Sequence, residues 1–264
     1  MIKKSIIGGS IIYGVVLLGF YLFQEKVVFR SKKLAQDFKF SFVKPFNEIT
    51  FASNDNGRIH ALHFTVDKPK GILLYFHGNK GNLARWGEIV SPYTAYNYDV
   101  FVMDYRGYGK SNGKRSERAM YADALKAYEQ VKALGYAEHE IVVYGRSLGC
   151  TFATYVASMN QPKQVILEAP FNSLREIVRR KFPLLPYKFL LKYPFNTNQF
   201  IANVTSPTVI FHGDQDALIP IASGRQLYDS ANKANTAFIP IQMGTHHNIT
   251  TFDAYTEKLK TLLD

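Results

Sequence analysis

The stretch Ile141-Val-Val-Tyr-Gly-Arg-Ser-Leu-Gly-Cys150 constrains this chain more than any other. Ile141–Tyr144 reads as a buried strand. A tight Gly-x-Ser-x-Gly turn follows, and a helix is expected from about Leu148. Such a turn throws the Ser147 hydroxyl out of the strand end into a strained, accessible position. Gly145 and Gly149, having no Cβ, let strand and helix approach closely. Ser147 is therefore the candidate nucleophile. The motif is short, so its reading depends on whether the rest of the chain supplies a sheet, a base and an acid around it.

From Gly71 onward the chain alternates short apolar runs with helical patterns. The runs are Ile72–Phe76, Asp99–Met103, Ile141–Tyr144, Gln164–Leu167, Pro207–Phe211 and Phe238–Ile241. Between them, Asn82–Tyr96 and Ser116–Leu134 read as helices, with Ser116 as N-cap of the second and Tyr121, Leu125, Tyr128 and Val131 at helical spacing. A last helix falls near Thr250–Leu263. Strands separated by helices predict an α/β fold with a mostly parallel sheet and right-handed crossovers. Upstream, Glu48–Ala52 and Ile59–Val66 flank Asn54-Asp-Asn-Gly57, a strong turn signal, so an antiparallel hairpin is expected at one edge. Active sites of such sheets form at the carboxyl ends of the strands.

Residues 171–206 break this rhythm. Pro183, Pro186 and Pro194 divide the segment into short helices. It follows a strand end, so it hangs over the same edge as Ser147 and reads as a small lid. It is basic and rich in Phe, Leu and Tyr, which suits an acyl chain or a membrane surface.

The N-terminus carries a different signal. Residues 5–23 hold no charge, and as a helix they span about 28 Å, close to the ~30 Å hydrocarbon core of a bilayer. Tyr21 sits where interfacial aromatics sit. The sequence past the run, Phe23-Gln-Glu-Lys-Val-Val-Phe-Arg30, lacks the small residues of a signal-peptidase site. An uncleaved anchor over residues 1–24 is expected, then a connector at 25–47 and one catalytic domain at 48–264. Lys26, Arg30, Lys32 and Lys33 outweigh Lys3 and Lys4, which leans the domain to the cytoplasmic side. The net charge of +11 fits an anionic lipid surface. Its cations are scattered rather than gathered on one helix, so nucleic acid is not the expected partner. The single cysteine, Cys150, allows no intrachain disulfide and reads as a small core residue. Nothing in the sequence sets an oligomeric state.

A serine hydroxyl needs a general base, and that base needs an orienting acid. Of the seven histidines, only His246 and His247 follow the last strand at its carboxyl end, and spacing alone does not choose between them. Asp214 and Asp216 follow the preceding strand, and Glu168 ends another. The oxyanion of an acyl-transfer reaction needs backbone donors. Leu148 N–H is one; Asn79, in the glycine-bearing loop His77-Gly-Asn-Lys-Gly-Asn82, is the second. The phosphate-loop pattern is met neither there nor at Gly107-Tyr-Gly-Lys-Ser111, where its first glycine would fall on Asp104.

Together, Gly145-Arg-Ser-Leu-Gly149, His77–Asn82, Asp104-Tyr-Arg-Gly-Tyr-Gly-Lys-Ser111, His212-Gly-Asp-Gln-Asp216 and His247-Asn248 resemble the α/β-hydrolase superfamily. The resemblance is closer to its membrane-anchored α/β-hydrolase-domain branch, which includes protein depalmitoylases and many uncharacterised bacterial members. It covers roughly residues 20–264, Gln24-Glu-Lys26 included. It implies Asp216 as acid and His247, the histidine before an asparagine, as base. His246 stands where the branch usually has glycine, and Ile249 where an acidic residue is common. The implied activity is a serine hydrolase of acyl esters or thioesters, without metal or organic cofactor, acting on a small-molecule or lipid-linked acyl substrate. A peptidase or amidase of the same fold, and a non-catalytic tethered interaction protein, are the other readings.

Overall fold

The computed structural model describes residues 2–264. Eight strands form one sheet: β1 Phe46–Ala52, β2 Arg58–Phe64, β3 Ile72–Phe76, β4 Asp99–Met103, β5 Ile141–Arg146, β6 Gln164–Glu168, β7 Thr208–Gly213 and β8 Thr236–Ile241. Their order across the sheet is β8-β7-β6-β5-β3-β4-β2-β1. The β1–β2 hairpin is antiparallel, as is the β2–β4 pair, and every other pairing is parallel. The strand sequence reverses direction across the sheet beside β3 and β5. That is where a crevice opens beyond the carboxyl ends of a parallel sheet.

The nine helices described are α1 Ile2–Val28, α2 Leu83–Val90, α3 Glu117–Ala133, α4 Gly149–Met159, α5 Leu174–Lys181, α6 Tyr187–Leu190, α7 Thr197–Ile201, α8 Ile221–Asp229 and α9 Asp253–Leu263. Alternate side chains of each strand point to opposite faces. Ile72, Leu74 and Phe76 of β3 therefore join one core, beneath α3, α4 and α8. Leu73 and Tyr75 join another, beneath α2 and α9. Ser116 caps α3 by accepting from Ala119 N–H at 3.1 Å. The helical pattern at 82–96 is interrupted: α2 ends at Val90, and Ser91–Tyr96 tightens into a 3₁₀ turn at Pro92, whose ring lacks the N–H an α-helix needs. The last helix likewise begins at Asp253, after a 3₁₀ turn at Ile249–Thr251.

The apolar run of the N-terminus continues as one helix through Gln24-Glu-Lys26 to Val28. Most of its described side chains from Ile7 onward are exposed until the last turns, where the helix meets the insertion between β6 and β7. Gln24, only 1% exposed, donates to Leu190 O at 2.9 Å and accepts from Lys192 N–H at 2.8 Å. Glu25 accepts from Tyr193 O–H at 2.7 Å. Further up the helix, Tyr13 O–H donates to Leu184 O, and Phe20 meets Phe182 edge-on. Beyond the helix the chain stays pinned: Phe29 is buried, and Arg30–Ser31 pairs in parallel with Lys80–Gly81. Truncating Gln24 to alanine strips two backbone groups of their partner, a loss of about 1–3 kcal/mol. Amide exchange at residues 187–193 is expected to accelerate in Gln24→Ala while exchange in β5 stays unchanged.

Candidate active site

Gly145, Ser147 and Gly149 build a sharp elbow. Ser147 adopts φ 53°, the left-handed region that side chains avoid. A Cβ on Gly149 would lie 1.9 Å from the Phe76 carbonyl oxygen, and one on Gly145 would lie 2.6 Å from Cys150 Cα. Both glycines are thus required by the close passage of α4 over β3 and β5. The Ser147 N–H is held by Glu168 O at 2.8 Å, so the backbone of β6 fixes the elbow. Cys150 is buried beneath it, and burial pushes its thiol pKa well up. It packs as a small core residue.

Asp216 follows β7 in a turn that it closes itself. Its Oδ1 accepts from Leu218 N–H at 2.9 Å and Ile219 N–H at 2.8 Å. Its Oδ2 lies 2.7 Å from Nδ1 of His246, and His246 Nε2 lies 3.0 Å from Ser147 Oγ. Burial pushes the Asp216 carboxyl pKa up, but the His246 ring and the Ile219 N–H outweigh it and leave a net lowering. A carboxylate only accepts, so His246 carries its proton on Nδ1 and turns the Nε2 lone pair to the serine hydroxyl. Among the other acids, Asp214 is exposed. Glu168 is buried at the end of β6, where it accepts from Tyr144 O–H at 2.6 Å and forms an ion pair with Arg146 Nε at 2.9 Å.

The histidine expected from the His-Asn pattern, His247, does not occupy this position; His246 does. The reason lies in the loop after β8. Gln215 N–H donates to Gly244 O at 2.9 Å, pinning that loop to the Asp216 turn. Asn248 Oδ1 accepts from Thr245 N–H and Thr245 Oγ1, closing a tight turn that sends residues 246 and 247 in different directions. His246 is 7% exposed, whereas His247 is exposed with its ring nearly perpendicular to that of His246. The two oxyanion candidates, Leu148 and Asn79, both line the cavity at Ser147. Neither backbone N–H donates to another group among the described residues. The Asn79 loop is fixed by its other atoms: its carbonyl accepts from Arg30 N–H and Tyr108 O–H, and its side chain donates to Val28 O.

Two cavities meet at Ser147. One is apolar, walled by Val27 and Val28 of α1 and by Phe171, Leu174, Ile177, Val178 and Phe182 of the insertion. The other is polar and is lined by His246, His247 and a set of lysines and arginines. The contribution of α1 to the first wall was not legible in the sequence, where Val27 and Val28 fall in the connector expected at 25–47. Gln24, a lone amide at the end of an apolar helix, was the available signal. No cluster of metal-ligating side chains occurs among the described residues.

A family model described as serine aminopeptidase, S33, matches residues 67–193. The chain is 26% identical to an uncharacterized membrane protein of Saccharomyces cerevisiae, with 99% of this chain and 96% of the yeast protein aligned. It is 32% identical to lysophosphatidylserine lipase ABHD12 of Macaca fascicularis over 62% of this chain, but spans only 46% of that lipase. Among solved structures, an esterase of Pyrococcus furiosus superposes with a TM-score of 0.70 at 17% identity, covering 89% of this chain and 95% of the esterase. The chain has the α/β-hydrolase fold and is similar to hydrolases of that superfamily. In this α/β-hydrolase the matched family segment begins before β3 and ends in the insertion, so it contains the Asn79 loop and the elbow. The Asp216 and His246 loops lie beyond it. The candidate acid and base of the hydrolase therefore rest on the geometry described above.

Proposed function

We propose that the protein is a membrane-anchored serine hydrolase that cleaves an acyl ester or thioester of a lipid or lipid-linked molecule. The observation that carries this reading is the unbroken Asp216–His246–Ser147 hydrogen-bonded series ending on a strained elbow at the mouth of an apolar cavity. Ser147 attacks the acyl carbonyl while His246 takes its proton. The N–H groups of Leu148 and Asn79 hold the oxyanion, where one such donor typically contributes ~2.7–4 kcal/mol. His246 then protonates the leaving group, and Asp216 stabilises the imidazolium. Water, activated in turn by His246, hydrolyses the acyl-enzyme.

The acyl chain lies between the end of α1 and the insertion, which serves as a lid. Leu184 and Phe189 of the lid are 84% and 88% exposed, beside a helix apolar enough to cross a bilayer over Ser10–Val28. Exposed aromatic and leucine side chains next to such a helix suit a surface immersed in lipid. The heavier basic flank, from Lys26 to Lys33, favours a cytoplasmic catalytic domain. A relative named as a lysophosphatidylserine lipase supports a lipid acyl ester as substrate.

An aminopeptidase activity, suggested by the family description, is disfavoured by charge. The ammonium of a peptide N-terminus needs an acidic partner. The residues lining both cavities at Ser147 include no Asp or Glu and six Lys or Arg. Hydrolysis of p-nitrophenyl esters but not of aminoacyl nitroanilides is the expected pattern. A fluorophosphonate probe is expected to label the protein, and labelling is lost in Ser147→Ala. Labelling of equal strength in that variant sinks the assignment of Ser147.

A further inference from the structure

We propose that the polar cavity beside Ser147 is a binding site for the phosphate-bearing headgroup of the acyl-ester substrate. The inference rests on the hydrolase reading above. Lys26, Arg30, Lys80, Arg85, Arg146 and Lys181 all line this cavity. Of the six, only Arg146 has an acidic partner among the described residues, the buried Glu168 behind it. A surface that gathers cations normally intersperses acids among them. Here five charges face one space with no carboxylate on its walls.

Two of these guanidinium groups are held against an aromatic ring, and the backbone that carries two more of the exposed cations is fixed. Arg85 and Arg146 lie over the Trp86 ring, with guanidinium carbons 4.9 Å and 5.7 Å from its centre. Trp86 Nε1–H donates to Lys80 O at 2.8 Å, fixing the loop that carries Lys80. Arg30 is positioned by its N–H bond to Asn79 O. The groups act on one another. Burial and the facing Arg146 guanidinium lower the Arg85 pKa. Burial, His246, Arg146 and Arg85 together lower that of His247 despite the opposing influence of Asp216. Mutual repulsion of this kind is relieved when an anion enters. Guanidinium forks match the paired oxygens of a phosphate.

The position of the cavity fits the reaction. It shares Val27, Asn79, Ser147, Lys181 and Leu218 with the apolar cavity, so the two meet across the nucleophile. With the acyl chain in the apolar side, the departing alcohol points into the cationic side. His246, the group that must protonate it, lines that side as well. The substrate class is therefore an acyl ester whose alcohol half bears a phosphate.

The test compares decanoyl glycerol 3-phosphate with neutral decanoyl glycerol, both presented as monomers to the full chain in phosphatidylcholine nanodiscs. In the double variant Lys80→Gln, Arg85→Gln, KM for the phosphate ester is expected to rise by about tenfold or more, the loss of one or more charge-assisted hydrogen bonds. KM for the neutral ester is expected to change by less than about twofold on the same grounds. An equal change for the two esters overturns the proposal. Nanodiscs enriched in phosphatidylglycerol separate the remaining source of phosphate. If the variant's defect appears on the neutral ester only in those anionic discs, the cavity reads the bilayer and not the substrate, and the proposal falls. Wild-type protein that turns over p-nitrophenyl butyrate but shows no preference for the phosphate ester sinks this inference alone. Wild-type protein inert on all three esters sinks the hydrolase reading beneath it.

Discussion

His246→Ala is expected to lower kcat for a p-nitrophenyl ester by on the order of 10⁴-fold or more, the scale seen when the base of a Ser-His-Asp set is removed. His247→Ala is expected to keep kcat within about tenfold of wild type, since it removes no proton-transfer partner of the serine. The contrast follows from position. His246 stands 2.7 Å from Asp216 and 3.0 Å from Ser147, while His247 is exposed at the edge of the cationic cavity. Neither substitution disturbs the hydrophobic core, so thermal unfolding of both variants serves as the control. The decisive readout is the rate of fluorophosphonate labelling, which depends on activation of the serine and not on substrate binding. Slow labelling in His247→Ala with normal labelling in His246→Ala would reverse the base assignment and restore the reading from the His-Asn pattern.

Gly149→Ala is expected to destabilise the fold by about 3 kcal/mol or more, the upper range for forcing a methyl into a packed site. The added carbon would stand 1.9 Å from the Phe76 carbonyl oxygen and 2.9 Å from that of His77. Both are backbone atoms of the strand end and oxyanion loop, so neither moves cheaply. For a chain of this size the melting temperature falls by roughly 6–12 °C. Because relief of the clash would push the Asn79 loop away from Ser147, labelling is expected to slow even at temperatures where the variant stays folded. A variant with wild-type melting temperature would show that the elbow is looser than its geometry implies.

The fold was largely legible because its signals are local. Ile72–Phe76 and Asp99–Met103 are continuous apolar runs, and both became strands with those limits. Gly145 and Gly149 announced a close approach that only the strand–elbow–helix geometry demands. Helix ends were less legible: Pro92 and the 249–251 turn redirect the chain where hydrophobic spacing alone continues. Which histidine faces Asp216 was not legible, because it depends on a tertiary contact. Gln215 N–H to Gly244 O and the Asn248-closed turn decide which of two adjacent histidines reaches Asp216. No sequence period encodes that choice. The cationic cavity was invisible for a similar reason. Lys26, Lys80, Arg146 and Lys181 lie on four separate segments, and in a linear reading they are scattered charges.

The Gln24 and Glu25 contacts with the insertion have a kinetic consequence. A catalytic domain on a slack tether explores a volume above its membrane, and it meets lipid by repeated collision. Here α1 is bonded to Leu190, Lys192 and Tyr193, and its last turn is a wall of the apolar cavity at Ser147. With α1 crossing the bilayer as proposed, the height and tilt of Ser147 over the lipid plane would be set by one helix turn. For the proposed lipid substrate, encounter would become lateral diffusion in two dimensions. Turnover should track the mole fraction of substrate within the bilayer and stay constant when the same vesicles are diluted in bulk.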